Sequence, residues 1–207
     1  MTGVQTCALP ICLDSAGLDL LALLTGSEGL LAVTTEITVR LLPKPEFAQC
    51  VLAAFDDVVK AGQAVANIIA AGIIPAGLEM MDRITTGAVE PFVNAGYPLD
   101  AEAILLCESD GTPEEVEEEI AHMTEVLKSS GATAIAVSRD EAERLKFWSG
   151  RKNAFPAAGR ISPDYYCMDG TIPRAKLPLV LKRIRELSEH YNLRVANVFR
   201  SEEHTSE

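Results

Sequence analysis

Basic residues are scarce in this sequence of 207 residues, in which 18 Lys and Arg stand against 30 Asp and Glu. The formal net charge is −12, and aromatic residues make up only 5% of the chain. A nucleic acid, itself a polyanion, would be repelled, and no stripe of Lys and Arg interleaved with aromatic residues offsets that repulsion. The composition therefore argues against nucleic acid as a partner.

Long hydrophobic runs are absent too. A run such as LLALL at 20–24 falls far short of the roughly 18 apolar residues that a membrane helix needs, so we expect a soluble protein. The cysteines outside the extreme termini are Cys12, Cys50, Cys107 and Cys167. They show no CxxC or CxxH spacing, so neither zinc nor an iron–sulfur cluster is predicted, and a reducing cytoplasm is the simplest setting.

Common catalytic and nucleotide-binding motifs are missing as well. The sequence contains no Walker loop, no GxGxxG, no GxSxG and no HExxH. The sequence therefore lacks the usual signatures of P-loop proteins, dinucleotide-binding folds, serine hydrolases and zinc proteases.

Both ends of the sequence resemble translated adapter DNA. Residues 200–207, RSEEHTSE, are the translation of agatcggaagagcacacgtctgaa, which resembles a sequencing-library adapter. Residues 3–11, GVQTCALPI, are the translation of the opposite strand of a slightly longer adapter. We therefore expect adapter-derived tails at 1–11 and 200–207 and a natural protein from about Cys12 to Phe199. A signal peptide is the alternative at the start, but that segment lacks a basic region and a long apolar region.

Two prolines divide the remaining sequence. The pattern at Leu18–Leu42 predicts a buried strand, a glycine turn and a second strand rich in β-branched residues. Pro43 and Pro45 end that sheet, because proline cannot donate a ladder hydrogen bond, and the stiff Pro-Lys-Pro segment suits a hinge. We therefore expect residues 12–43 to close one domain and residues 46–199 to form another.

Strands and helices alternate in this second domain, which argues for helices packed on one sheet. The predicted strands are 47–55, 73–82, 101–109, 132–138 and 193–199, and the predicted helices are 56–72, 84–96, 112–131, 140–155 and 178–191, with an extended segment at 164–172. In the helix at 112–131, Thr112 is expected to cap the start, Pro113 to occupy the first turn and Gly131 to end it.

Two short segments are candidate binding sites. Thr25–Gly29, TGSEG, would let backbone amides approach a flat ring or a phosphate, with a plain β-turn as the alternative. In 147–155, FWSGRKNAF, Arg151 and Lys152 lie beside aromatic residues. The planar fork of Arg151 suits a small carboxylate, and the alternative is a helix end with solvated charges.

Cysteine and histidine chemistry gives a weaker signal. Cys167 lies in DYYCMD, where a catalytic thiol is conceivable. No His stands nearby, so a buried structural cysteine is the favoured interpretation. His122 and His190 lie on predicted helices and are interpreted as surface or satisfied histidines.

Longer motifs resemble one family. The segment at 26–46, GSEGLLAVTTEITVRLLPKPE, resembles the end of the flavin domain of the FAD-linked oxidases of the vanillyl-alcohol-oxidase type, which often reads GSEGTLGIVTE. IIPAGLEMMD, AEAILLCE, DEAERLKFWSGRKNAFPAAGRISPDYYCMDGTIPR and LRVANVF resemble its bacterial glycolate-oxidising members, and the likeness covers nearly all of residues 13–199. The resemblance implies an α+β fold, in which the end of a flavin-binding domain precedes a ferredoxin-like cap domain with an antiparallel sheet and helices on one face.

The resemblance also implies FAD as the cofactor and assigns site residues. On the last flavin-contacting segment of the family fall Gly26, Ser27, Glu28, Gly29 and Val33. Leu30 and Ala32 depart from the Thr and Gly of many relatives, which alters the closest backbone contacts. Arg151 falls on the arginine that holds the substrate carboxylate, and Cys167 lies near a lysine of some relatives, so both are expected at the substrate site.

The implied reaction is hydride transfer from a 2-hydroxy acid to FAD. Glycolate is the favoured substrate, followed by D-lactate and D-2-hydroxyglutarate. A non-catalytic ferredoxin-like module that binds a small acid or a partner is the alternative from another class. The base and the metal ligands are expected in an HxGDGNxH segment that the family places after the position of Phe199, so none is assigned in this chain. The implied partners are other oxidase subunits, including an iron–sulfur subunit, and through them a peripheral position on the inner membrane.

Overall fold

The computed structural model describes residues 18–39, 41 and 43–200. The expected tail at 1–11, Cys12, and all of the expected tail at 200–207 except Arg200 lie outside these described residues. The chain divides into two compact units, Met1–Lys44 and Pro45–Glu207.

The described part of the first unit begins with a short helix, α1, at Leu20–Leu24. The side chain of Asp19 caps it by accepting a hydrogen bond from the amide of Ala22 at 3.0 Å. The strand predicted for this leucine run is therefore wrong. A strand needs a neighbour for its amides and carbonyls, whereas a helix satisfies them locally, and Leu and Ala are good helix formers.

The second strand predicted for this unit is also wrong. The described residues 30–39 and 41 contain no strand. The exposed hydrophobic side chains there belong to Leu30, Leu31, Val33, Ile37, Val39 and Leu41. β-Branched residues favour a pleated surface only when another strand pairs with it, and no described residue of this unit forms one.

The second unit is built on one five-stranded sheet with the order β4-β1-β3-β2-β5, in which every neighbouring pair is antiparallel. The strands are β1 at Phe47–Phe55, β2 at Gly77–Asp82, β3 at Ala103–Gly111, β4 at Ala134–Val137 and β5 at Val198–Arg200. The predicted strands thus exist, although β5 is much shorter than the segment predicted at 193–199. Arg200, which the sequence assigns to a tail, ends β5.

Five longer helices accompany the sheet. They are α2 at Val58–Ala70, α3 at Arg83–Val93, α4 at Pro113–Ser129, α5 at Glu141–Ala157 and α6 at Leu177–Tyr191. Their predicted positions are confirmed to within a few residues. The segment 164–172, predicted to be extended, carries no regular secondary structure.

The helices cover both faces of the sheet, so the α+β class is confirmed but the placement of the helices on one face is not. On one face, Val51, Ala53, Phe55 and Leu105 pack with Val65 of α2, Met123 of α4 and Leu181 of α6. On the other face, Cys50, Leu52, Ala54 and Leu106 pack with Val89 of α3 and Phe147 and Ala154 of α5. The sequence carried the signal, since the unbroken apolar run CVLAAF at 50–55 indicates burial on both faces.

A close approach at Gly150 fixes the position of α5. The hydroxyl of Tyr97 donates a hydrogen bond to the carbonyl of Phe147 and accepts one from the amide of Gly150 at 3.0 Å. A Cβ atom at position 150 would lie 2.2 Å from that hydroxyl oxygen. Burial, above all, raises the pKa of Tyr97, which keeps the phenol protonated as the donor.

We expect Gly150→Ala to destabilise the second unit by about 1–3 kcal/mol, because the added methyl group forces Tyr97 off its hydrogen bonds. Gly87→Ala is the matched control, since Gly87 lies in α3 with no atom within 4 Å of its Cβ position. That substitution should stabilise the chain by up to about 1 kcal/mol. Urea unfolding measures both, and equal midpoints for the two variants would contradict the packing described here.

The predicted cap of α4 is confirmed in detail. Thr112 accepts a hydrogen bond from the amide of Glu115, and the Glu115 carboxylate accepts from the amide and the hydroxyl of Thr112 at 2.9 and 2.8 Å. Pro113 occupies the first turn. These hydrogen bonds, first the one from the amide, lower the pKa of Glu115.

The lowered pKa has a testable consequence. Because the charged form of Glu115 is favoured in the folded state, its contribution to stability is present above the ordinary glutamate pKa and is lost as the pH falls through the lowered folded-state pKa. We expect an NMR titration to find the Glu115 carboxyl below the usual glutamate range, and Thr112→Ala to raise that pKa part of the way back. Thr112→Ser keeps the hydroxyl and should leave it unchanged. An identical titration in Thr112→Ala would show that the side chain contributes nothing to the cap.

Candidate functional site

A polar contact between α5 and the sheet gathers the chemistry-bearing residues of the second unit. Arg144, Trp148 and Arg151 lie on one face of α5 because their spacing is that of successive helical turns. Glu79 of β2 and Glu108 of β3 project from the sheet toward them. We call these five residues the α5 polar seam.

The Glu108 half of the seam is saturated with partners. Arg144 Nη1 lies 2.7 Å from a carboxylate oxygen of Glu108, and the indole nitrogen of Trp148 donates to the same oxygen. The other donors of Arg144, Nε and Nη2, bind Glu141 at 2.6 and 2.7 Å. Hydrogen bonding to Glu141, and then to Glu108, raises the pKa of Arg144, so this side chain stays a structural cation.

The Glu79 half of the seam is arranged differently. Arg151 Nε lies 2.5 Å from Oε2 of Glu79, whose side chain is only 8% exposed. Oε1 of Glu79 faces Arg200 Nε at 3.8 Å. The Arg151 side chain is 31% exposed, and its two Nη groups bind no acceptor among the described residues. Arg151 therefore has hydrogen-bond donors available for an external anion.

The structure refines the sequence interpretation of Arg151. The helix does not end near this residue but continues to Ala157, so the alternative of a solvated helix end is wrong for Arg151. Its neighbour Lys152 is exposed, as that alternative would have it. Substrate binding by Arg151 stays a prediction.

Sequence reasoning missed Glu79 and Glu108. Each is an acidic residue that follows or interrupts apolar residues within a buried strand, in GLEMMD, which ends at Asp82, and in AILLCESDG, where Ser109 and Asp110 come after Glu108. A carboxylate in a buried strand needs a cationic or hydrogen-bonding partner, because burying an unpaired charge is very costly. The placement of an acid within a buried strand was therefore a usable signal for a paired basic residue elsewhere.

Cys167 is exposed, so its interpretation as a buried structural cysteine is wrong. It lies in the segment without regular structure, and its sulfur makes no hydrogen bond among the described residues. The buried thiols are Cys50 and Cys107, and burial raises the pKa of both. Two residues before Cys167, the ring of Tyr165 packs edge-on against Phe155 of α5 at 5.6 Å between centroids.

In the first unit, the glycine-rich turn after α1 exposes backbone amides. Gly26, Glu28 and Gly29 have positive φ angles of 76°, 51° and 78°. Their amides donate to no acceptor among the described residues, whereas the amide of Ser27 donates to Leu24 at 3.2 Å. Three free amides beside exposed apolar side chains suit one wall of a site for a flat ring with polar edges, so the residues present fit the expected flavin.

Asp82 holds the last strand on the sheet. Its carboxylate accepts hydrogen bonds from the amide and the side chain of Asn197 at 2.7 and 2.8 Å, and from the amide of Thr85 at 2.9 Å. Burial raises the pKa of Asp82 although these hydrogen bonds oppose the shift. Through this contact β5 pairs with β2, and Arg200 lies opposite Glu79.

We expect Asp82→Ala to destabilise the chain by about 2 kcal/mol or more, because it removes the cap of α3 and leaves the donors of Asn197 unpaired. Amide exchange in β5 should accelerate. Asp140→Ala is the control, since Asp140 caps α5 by accepting from Glu143 at 2.8 Å but does not contact β5. It should cost about 1 kcal/mol without affecting β5. Hydrogen exchange that stays slow in β5 of Asp82→Ala would rule out the anchoring role.

Within residues 18–39, 41 and 43–200, no group of three or more His, Cys, Asp and Glu residues could hold a metal ion. No helix in the same part of the chain has the length and apolar character needed to cross a membrane.

Comparison with known proteins adds a family to this geometry. The family model described as "FAD linked oxidases, C-terminal domain" matches residues 44–202. The chain is 64% identical over 187 residues to glycolate oxidase subunit GlcD of Escherichia coli strain K12, covering 90% of this chain and 38% of that protein. Glycolate oxidase subunit GlcD of Bacillus subtilis strain 168 is 36% identical over 88% of this chain and 39% of its own length.

More distant similarity extends to a lactate enzyme and to a solved structure. A probable mitochondrial D-lactate dehydrogenase of Danio rerio is 30% identical, covering 81% of this chain and 34% of its own length. A solved structure of alkyldihydroxyacetonephosphate synthase superposes with a TM-score of 0.65 at 14% identity, covering 91% of this chain and 39% of that one. This structural likeness shows the fold alone. The chain thus spans well under half the length of each of these relatives.

Proposed function

Because the chain belongs to the FAD-linked oxidases through their C-terminal domain, we propose that it is part of a flavin-dependent 2-hydroxy-acid oxidoreductase that oxidises glycolate. The observation that carries the proposal is Arg151, which a buried carboxylate holds while its Nη groups keep free donors. The 64% identity to a glycolate oxidase subunit supports glycolate as the substrate.

In this proposal Arg151 binds the substrate carboxylate. Its Nη groups would donate two hydrogen bonds to the two carboxylate oxygens, a geometry that a planar guanidinium offers and an ammonium does not. The side chain is two-thirds buried, and a less polar surrounding strengthens the contact relative to water. Holding the acid by its carboxylate fixes where C2 lies.

The cofactor of the proposed enzyme is FAD. The residues that would hold it in this chain are Gly26, Ser27, Glu28, Gly29 and Val33, which lie in or just after the turn with free amides. The chemistry that bound FAD supplies is acceptance of the hydride from C2 of the hydroxy acid. Amides of the turn would donate to polar edge atoms, while the exposed side chain of Val33 would offer apolar contact.

No residue of this chain is proposed as the general base. The sequence contains no HxGDGNxH segment, and His122 and His190 lie on α4 and α6 rather than beside Arg151 in the polar seam. Cys167 is proposed as a second substrate-side residue. A cysteine near the position where some relatives have lysine offers no ammonium group to pair with a second carboxylate, which favours glycolate over D-2-hydroxyglutarate.

D-Lactate is the second candidate substrate. A relative at 30% identity is named as a probable D-lactate dehydrogenase, and D-lactate differs from glycolate by one methyl group. One methyl group in a pocket changes discrimination by only about 1–3 kcal/mol, so Arg151 would serve either acid. A non-catalytic module that binds a small acid is the remaining alternative, and turnover of either acid would eliminate it.

The proposed setting is a multi-subunit oxidase. The two glycolate oxidase relatives are named as subunits, and we propose that this chain also works with other subunits, including an iron–sulfur subunit. A cytoplasmic location, with peripheral attachment to the inner membrane through those subunits, belongs to the same proposal.

The test of Arg151 must allow for its partner. Arg151→Ala alone removes the guanidinium that pairs with the buried Glu79. Breaking a buried pair from one side typically costs about 3–5 kcal/mol of stability and would obscure any effect on binding. The informative variant is Arg151→Gln combined with Glu79→Gln, in an oxidase of the relatives' full length that contains this chain. We expect kcat/KM for glycolate to fall roughly 30-fold to several thousand-fold, with flavin content unchanged.

Two further variants complete this test. Arg151→Lys keeps the charge but not the fork, so it should recover part of the lost kcat/KM relative to the double variant. Lys152→Ala removes an exposed neighbouring charge and should have a much smaller effect. Near-normal kcat/KM of the double variant for both glycolate and D-lactate would eliminate Arg151 as the carboxylate anchor.

A further inference from the structure

We propose that Glu79 is a positioning residue, which orients the guanidinium of Arg151 so that its free Nη edge faces the substrate carboxylate. The inference rests on the proposed function of Arg151 and adds a residue to it. It follows from three features of the α5 polar seam, namely the geometry of the contact, the rigidity of β2 and the contrast with the Arg144 pair.

Glu79 binds the guanidinium of Arg151 at Nε and not at either Nη group. Both Nη groups therefore stay available for an anion. Nε of Arg151 binds Oε2 of Glu79 at 2.5 Å. Since the guanidinium is planar and rigid, a hydrogen bond at Nε restricts the directions in which both Nη groups can point. A single bond at Nε therefore restricts the orientation of the remaining four N–H donors.

Glu79 is itself held in place. It lies in β2 between two antiparallel neighbours, opposite Leu106 of β3 and Arg200 of β5. Its chain neighbours Leu78 and Met80 are almost fully buried. A carboxylate on a packed strand keeps its position better than one on a loop, and catalytic geometry tolerates displacements of only about 0.5 Å.

The Arg144 pair serves as an internal comparison. Arg144 crosses from the same helix to the neighbouring strand, but its Nε, Nη1 and Nη2 atoms all have carboxylate partners, on Glu141 and Glu108. It is also less exposed than Arg151, with 18% against 31% of the side chain. All three guanidinium nitrogens of Arg144 are thus paired, whereas both Nη groups of Arg151 have no acceptor among the described residues.

Charge and orientation make opposite predictions for Glu79→Gln. Glutamine still offers Nε an acceptor oxygen but loses the charge, and its amide group can rotate to present a donor instead. If the negative charge of Glu79 mainly weakened the attraction of Arg151 for an anion, glycolate would bind the variant more tightly. If orientation dominates, as we propose, binding and turnover both suffer.

The experiment compares Glu79→Gln with Glu108→Gln in the full-length oxidase. We expect Glu79→Gln to raise KM for glycolate and to lower kcat/KM about 10- to 100-fold, because a small misplacement of the carboxylate displaces C2. Glu108→Gln should change kcat/KM by less than about threefold, although it removes a similar partly buried charge pair. Thermal unfolding of both variants reports any loss of stability separately.

NMR of the full 207-residue chain gives a readout that does not depend on activity. The Nε–Hε resonance of Arg151 should lie apart from those of exposed arginines, exchange slowly with water, and move toward their position in Glu79→Gln. Glu108→Gln should leave it unchanged. A structural role alone predicts a loss of stability without a matching change in KM.

The outcomes separate the two proposals. If the Arg151→Gln, Glu79→Gln double variant loses activity while Glu79→Gln keeps normal or lower KM and full kcat/KM, the positioning role is wrong and the carboxylate anchor stands. If the double variant is also active, the anchor itself is wrong. A drop in kcat/KM for Glu79→Gln that equals the drop for Glu108→Gln would overturn the positioning role as well.

Discussion

The arrangement of the second unit depends on two acidic residues placed in buried strands. Glu79 and Glu108 leave water when α5 packs on the sheet, and each then needs a cation close by. The helix supplies Arg151 and Arg144 at the spacing that brings both over neighbouring strands. Each acid thereby ties α5 to one strand, Glu79 to β2 through Arg151 and Glu108 to β3 through Arg144.

Other contacts also hold α5 on the sheet. Tyr97 bonds both Phe147 and Gly150, at a point where only glycine leaves room, and thereby fixes the helix along its axis one residue before Arg151. The indole ring of Trp148 likewise lies so close to Gly77 of β2 that a Cβ atom at position 77 would be 2.9 Å from the ring. The guanidinium of Arg151 is therefore held from the helix side and from the strand side, which is the preorganisation that binding a small anion requires.

Sequence reasoning recovered the elements that local chemistry determines. The cap at Thr112, the apolar period of α2 and the run of β1 are local features, and the structure has them where they were predicted. It failed at Leu20–Leu24 and at the following β-branched segment, because strand formation depends on a partner that no local pattern reveals. The alternation of elements does not state on which side of the sheet each helix packs. The helices on the second face could have been predicted only from the unbroken apolar run of β1, CVLAAF, which indicates burial on both faces.

In the candidate site, the pairing of Arg151 with Glu79 is what the sequence alone did not predict. The sequence singled out Arg151 from its neighbours and from a family resemblance, but Glu79 lies 72 residues away, and the packing of α5 on the sheet brings the two together. The most direct test is a high-resolution structure of the full-length oxidase with glycolate bound. We expect the glycolate carboxylate to lie on the Nη groups of Arg151 while Nε stays on Glu79. A carboxylate bound elsewhere, or one that displaces Glu79 from Nε, would contradict that expectation.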